Sequence, residues 1–166
     1  DARLRFGMAQ LFRLFAQAPK LGSLINPRAV AGAGFAFDFH ELHQLLTRAV
    51  GNTSSADEAV REMAVTASGL ARAADILAGH FTLVVTNVPY LGRGKQDDAL
   101  REYCERVHPD AKADLATCFV ERCLEFCSPD AGSTALVTPQ NWLFLGTYKH
   151  LRKTLLEQVT WDGVAR

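Results

Sequence analysis

Residues 81–95 read FTLVVTNVPYLGRGK. An apolar run dense in β-formers, Phe81 to Thr86, stops at Asn87-Val88-Pro89-Tyr90 and passes into the basic loop Gly92-Arg93-Gly94-Lys95. Such a run without polar alternation reads as a strand buried on both faces, the kind found in parallel sheets. In an open parallel sheet the carboxyl ends of the strands line the ligand crevice, so a strand that ends at Thr86 delivers Asn87 to Tyr90 to the place where chemistry happens.

The rest of the second half fits around that strand. The pattern predicts a short helix over Asp98–Val107, a longer one over Ala113–Cys127, a second buried strand over Thr134–Thr138 and a last helix over Thr147–Gln158. Strands separated by helices indicate an α/β arrangement with parallel pairing. Two strands fall short of the roughly five expected of a complete sheet, so this unit, 81–166, reads as part of something larger.

The first half, 1–80, reads as a mainly helical lead-in or insertion. Leu4, Met8, Leu11, Phe12 and Phe15 recur at helical spacing in a helix expected to run to Ala18 and close at Pro19. A loop follows through Gly22, Pro27, Gly32 and Gly34. Asp38 with Glu41, and then Ser55 with Glu58, form capping-box signatures for two further helices, ended by Gly51 and Gly79. Because Asp1 leads straight into a helical pattern, the sequence is expected to begin inside a longer polypeptide.

Composition narrows the class. With 166 residues and 48% hydrophobic content, the chain can bury a sizeable core. Eighteen basic side chains balance eighteen acidic ones, so no global field draws the chain to nucleic acid or an acidic membrane. The local basic clusters, Arg3 to Arg28 and Lys149-His150-Arg152-Lys153, read as solvated helix faces. Neither a membrane span nor a signal peptide is visible, and a cytoplasmic protein is expected. Cys123 and Cys127, like Cys104 and His108, stand four apart on probable helices, but a Cys-x-x-Cys knuckle is absent. The four cysteines therefore read as reduced core thiols, with no metal expected.

The residue types after the first strand narrow the reaction. The Asn87 side-chain oxygen and the Val88 carbonyl can accept hydrogen bonds from one amino group, Pro89 fixes the backbone, and Tyr90 offers a flat face for stacking. That set suits a planar amine such as N6 of adenine, whose lone pair is delocalised into its ring. Two acceptors aimed at its hydrogens favour a pyramidal nitrogen and stabilise the positive charge that develops as it attacks. The base must first leave the helix, and an aromatic side chain compensates for the lost stacking. A chance turn with Tyr90 on the rim is the plain alternative.

At this point VVTNVPYLGRGK resembles the Asn-Pro-Pro-Tyr motif of amino-group DNA methyltransferases. DLATCFVERCLEF from Asp114 is similar to the helix that follows in that family, and ALVTPQNWLFLGTYKHLRKTLLE from Ala135 is similar to its next strand, Pro-x-x-Trp-Leu turn and Leu-Arg helix. Order and spacing resemble the gamma-type N6-adenine enzymes, the TaqI type, and more closely the PglX-type methyltransferases of BREX phage-defence systems. The latter tend to carry a GSLI segment like Gly22 to Ile25. The resemblance is specific over 81–158 and looser over 1–80.

It implies part of a Rossmann-like, S-adenosylmethionine-dependent methyltransferase sheet, preceded by a mainly helical segment. It further implies that Asn87 and the carbonyl of Val88 hold the target amine, Pro89 shapes the turn and Tyr90 stacks on the flipped adenine. Arg93 and Lys95 would touch DNA phosphates; the loop lacks P-loop spacing, which excludes nucleotide hydrolysis. Asp114 would either line the crevice near the methyl donor or cap its helix. Val88 departs from the usual proline and predicts a looser backbone there. The family's glycine-rich donor loop is not found. The sole candidate, AVAGAGFAFDF at 29–39, lacks a preceding strand, and the donor-binding half is expected in other parts of the parent chain. The expected partners are DNA and other restriction-modification or phage-defence subunits. The alternatives are an inactive fragment or relative that binds DNA or a defence partner, and a small-molecule or protein amine methyltransferase.

Overall fold

The computed structural model describes residues 2–28, 43–44, 47–48 and 58–165. Contacts divide the chain into two units, 1–80 and 81–166. In the first, helix α1 (Ala2–Phe15) packs against α3 (Glu58–Ala78). Leu11 is buried on α1 and Ala71 and Ala74 on α3, where small side chains let two helices approach closely.

Pro19 does not close the first helix as the sequence reading expected. The helix ends at Phe15, and Pro19 instead lies at the start of a one-turn helix, α2 (Ala18–Leu21), where its missing N–H costs nothing. Gly22, with φ of 52°, then turns the chain into a 3-10 turn over Gly22–Leu24. Leu21, Leu24 and Ile25 are buried, so the GSLI segment anchors this unit by its apolar side chains. The capping boxes at Asp38 and Ser55 and the 29–39 segment lie outside the described residues; α3 is described from Glu58 and ends just before Gly79, as expected.

The second unit is built on two parallel strands, β1 (Leu83–Asn87) and β2 (Ser133–Val137), in register from Leu83 opposite Ser133 to Asn87 opposite Val137. Between them run α4 (Asp98–Val107), which has the predicted bounds, and α5 (Leu115–Phe126); α6 (Lys149–Gln158) follows β2. The carboxylate of Asp97 caps α4 by accepting from Leu100 N at 2.8 Å. The last helix starts two residues later than predicted because Gly146–Tyr148 forms a separate 3-10 turn.

The strands are not buried on both faces, which corrects the sequence reading. Burial alternates along each. Val84, Thr86, Thr134 and Leu136 are half-buried, whereas Leu83, Val85 and Val137 are 61%, 68% and 59% exposed. An apolar run reports what a strand can bury, and α5 is the helix that packs most closely on β2.

Helix α5 forms the core of this unit, with Leu115, Ala116, Cys118, Val120 and Cys123 buried. Arg122 is also fully buried; its guanidinium pairs with Glu125 at 2.8 Å and lies 3.9 Å from the centre of the Phe126 ring. The architecture is mixed helix and sheet, as an α/β class requires. Among the described residues no helix is long and apolar enough to cross a membrane.

Candidate active site

Strand β1 carries Asn87 as its last residue, one position further than the sequence reading placed the strand's end. Val88 then turns inward. Its side chain is buried and its N–H donates to the carbonyl of Val137 at 3.3 Å, which closes the last strand pair, Asn87 with Val137. A proline at this position could not make that bond. The backbone at Val88, expected to be looser for want of proline, is thus held by a different means.

Pro89 and Tyr90 are exposed, Tyr90 by 53%. The Tyr90 hydroxyl donates to Asn87 Oδ1 at 3.1 Å and approaches the Val137 carbonyl at 3.5 Å. An amide oxygen has two lone pairs, so Oδ1 keeps one for a second donor. No donor among the described residues reaches the carbonyl of Val88. Asn87 and Tyr90 therefore stand exposed at the carboxyl end of β1, with one lone pair of Asn87 Oδ1 open to a further donor, and the buried Val88 lies between them.

The chain beyond Tyr90 is tied down at once. Leu91 N–H points to Asp114 Oδ1 at 3.4 Å, while its carbonyl accepts from Leu115 N at 3.0 Å and from Gln96 Nε2 at 3.1 Å. Arg93 N donates to Ala113 O at 3.0 Å, completing an antiparallel bridge between Gly92 and Asp114. Asp114 Oδ1 also accepts from Ala116 N at 2.9 Å, so the same oxygen caps α5.

Arg93 is paired with Glu105, whereas Lys95 is exposed. Of the two cations assigned to phosphates, only Lys95 reaches solvent without a carboxylate on it. Sequence reasoning missed Gln96, which is 3% exposed, and the Val137 carbonyl. A glutamine in a glycine-rich basic loop gives no periodic signal, and a backbone carbonyl gives none at all.

The end of β2 is built differently. Thr138 and Pro139 lead into a 3-10 turn, Gln140–Leu143, whose Trp142 is buried. Trp142 Nε1 donates to Thr138 Oγ1 at 2.9 Å, and Arg152 Nη1 donates to the carbonyls of Trp142 and Leu145, each at 2.7 Å. A cavity of about 800 Å³ runs beside β2, between Leu136, Trp142, Leu155 and the extended tail. Asn87 to Tyr90 take no part in its walls.

The cysteines sit in the core. Cys118 Sγ donates to Ala111 O at 3.5 Å, and the interaction between the Cys104 and Cys118 thiols lowers the pKa of Cys104 and raises that of Cys118. Burial pushes Cys123 up to about 11. His108, buried at the end of α4, meets Glu121 at 2.8 Å through Nδ1. Among the described residues no cluster of three or more such side chains could hold a metal ion.

A model of the Eco57I restriction-modification methylase family matches residues 32–164. The adenine-specific methyltransferase BrxX of Escherichia coli O9:H4 (strain HS) is 34% identical over 153 residues, which is 92% of this chain and 12% of the relative. The adenine-specific methyltransferase PglX of Lacticaseibacillus casei (strain Zhang) is 35% identical over 86 residues, 52% of this chain and 7% of the relative. The chain thus spans a small part of the length of the curated relatives it matches.

Proposed function

The chain belongs to the Eco57I restriction-modification methylase family, and from that premise we propose that residues 81–166 form the target-base half of an adenine-specific DNA methyltransferase. The reaction moves a methyl group from S-adenosylmethionine to N6 of an adenine flipped out of DNA. The two strands would be part of a larger, Rossmann-like parallel sheet, with residues 1–80 as a helical insertion or lead-in. The observation that carries this reading is the exposed pairing of Asn87 Oδ1 with the Tyr90 hydroxyl on one strand end, with Val88 between them.

Each group has a defined part. Asn87 Oδ1 and the Val88 carbonyl accept the two hydrogens of the exocyclic amine, which localises its lone pair and stabilises positive charge at the nitrogen. Pro89 limits the turn's freedom, so the two acceptors need little reorganisation when the base arrives. Tyr90 stacks on the base in place of its lost neighbours. Lys95 meets the phosphate backbone, and Arg93 would join it on release from Glu105.

The described residues do not fit a cradle for the methyl donor. The two strands lead into Asn-Val-Pro-Tyr and Thr-Pro-Gln-Asn instead of a glycine-rich turn, and Asp114 Oδ1 is engaged by backbone N–H groups. We assign the donor no residue here. We further propose that the protein works in the cytoplasm, on DNA, alone or with other subunits of a restriction-modification or BREX-type phage-defence system; the description of its family as a restriction-modification methylase supports the DNA substrate.

The test is Asn87→Ala in the full-length protein. Transfer to adenine should fall by at least about 10²–10³-fold, the scale of losing one preorganised charge-stabilising group, while donor affinity stays nearly intact. Transfer at the parental rate would overturn the role of Asn87.

A further inference from the structure

We infer that Asp114 is a positioning residue for the acceptor turn, acting through Leu91 together with Gln96; this rests on the reading of Asn87 and Tyr90 given above. Both polar groups of the Leu91 backbone, immediately after Tyr90, are held from outside the turn. Its N–H meets Asp114 Oδ1, and its carbonyl takes Leu115 N and Gln96 Nε2. On the other flank, Val88 N is held by Val137 O. Pro89 and Tyr90 therefore span a gap with both ends fixed, and their own side chains remain exposed.

Asp114 belongs to this clamp because one oxygen serves two elements. Oδ1 caps α5 through Ala116 N and reaches across to Leu91 N. Helix α5 is the most deeply buried helix of the unit, so the carboxylate ties the turn to its most rigid part. Gln96 repeats the arrangement from the other side of the loop, with its side chain 3% exposed. If this clamp loosens, the Tyr90 ring and the Val88 carbonyl lose their mutual geometry, and small misplacements of reacting groups are costly.

Capping and clamping are separable by substitution. Asparagine preserves the oxygen that serves both N–H groups. Serine caps a helix as well as aspartate does, but its oxygen lies closer to the backbone and falls short of Leu91. In the full-length protein, kcat and KM for methylation of a duplex substrate should be measured for D114N, D114S and D114A, with 2-aminopurine at the target position reporting stacking.

We expect D114N to stay within about twofold of the parent, and D114S and D114A to lose roughly tenfold in kcat with KM for DNA little changed. In D114S and D114A, 2-aminopurine should be brighter because Tyr90 quenches it less. Q96L removes the other grip without touching the cap of α5 and should lower kcat in the same way if D114A does not fold. Parental kcat and fluorescence in both D114S and Q96L would overturn the inference, leaving Asp114 as a helix cap. A parent protein that transfers no methyl to adenine would overturn the reading of the site itself, and the inference with it.

Discussion

The two strands end side by side, Asn87 opposite Val137, yet their ends are built on opposite plans. After β1 the backbone is fixed and the side chains are exposed: Val88 and Leu91 are held through main-chain groups, while Asn87, Pro89 and Tyr90 remain accessible, with the Tyr90 hydroxyl on Asn87 Oδ1. After β2 the side chains are fixed. Trp142 is buried and bonded to Thr138, and the Arg152 guanidinium closes over the carbonyls of the turn. A turn suited to receive a ligand needs a rigid main chain and accessible side chains, whereas a turn that seals a core buries its side chains. On the function proposed above, the difference separates site from scaffold on a sheet of two strands.

The comparison predicts different kinds of loss at the two ends. The largest effect should come from the scaffold: Trp142→Ala should cost roughly 3–5 kcal/mol of stability, read from denaturant unfolding of the unit, with any activity loss following from unfolding. Next, Arg152→Met removes both bonds of its guanidinium to main-chain carbonyls and should cost about 2–3 kcal/mol in the same measurement. At the site, Tyr90→Ala should leave the unfolding midpoint unchanged and weaken productive binding of the target base by roughly 1–3 kcal/mol, seen as a loss of 2-aminopurine stacking. A large shift in midpoint for Tyr90→Ala would erase the distinction between the two ends.

Two smaller changes sharpen it. Tyr90→Phe keeps the stacking face and frees Asn87 Oδ1 of its hydroxyl partner, so methyl-transfer kinetics should show a change of no more than about threefold, within the range of one exposed hydrogen bond. Val88→Pro exchanges the bond to Val137 O for a fixed φ. These effects oppose each other, and both stability and kcat should stay within about 1 kcal/mol of the parent.

How much of this was legible in the sequence follows from what sequence patterns encode. The bounds of α4 were readable because its apolar positions and acidic start are local signals. Asn87 to Tyr90 could be placed because a strand run ending in a turn dictates where its last residues point. The opposing faces of the strands could not be read, because Val85 and Val137 are as apolar as any core residue and exposure depends on what packs above them. Pro19 misled for a related reason: the same ring that ends one helix starts another. The clamp on Leu91 was invisible because it joins Asp114 and Gln96 through main-chain atoms, and neither residue's type announces a partner 23 or 5 positions away.

The parallel register also has a consequence for the protein's birth. Leu83 pairs with Ser133, so β1 must wait for about 50 further residues before its partner exists. At typical rates of synthesis that is roughly 3–10 s during which a run of Phe81, Leu83, Val84 and Val85 is without its neighbour on a nascent chain. Helices α4 and α5 are made in that interval and consist of local contacts that form fast. An early α5 would bring Asp114 towards Leu91 before β2 leaves the ribosome. The acceptor turn would then take shape ahead of the sheet that supports it.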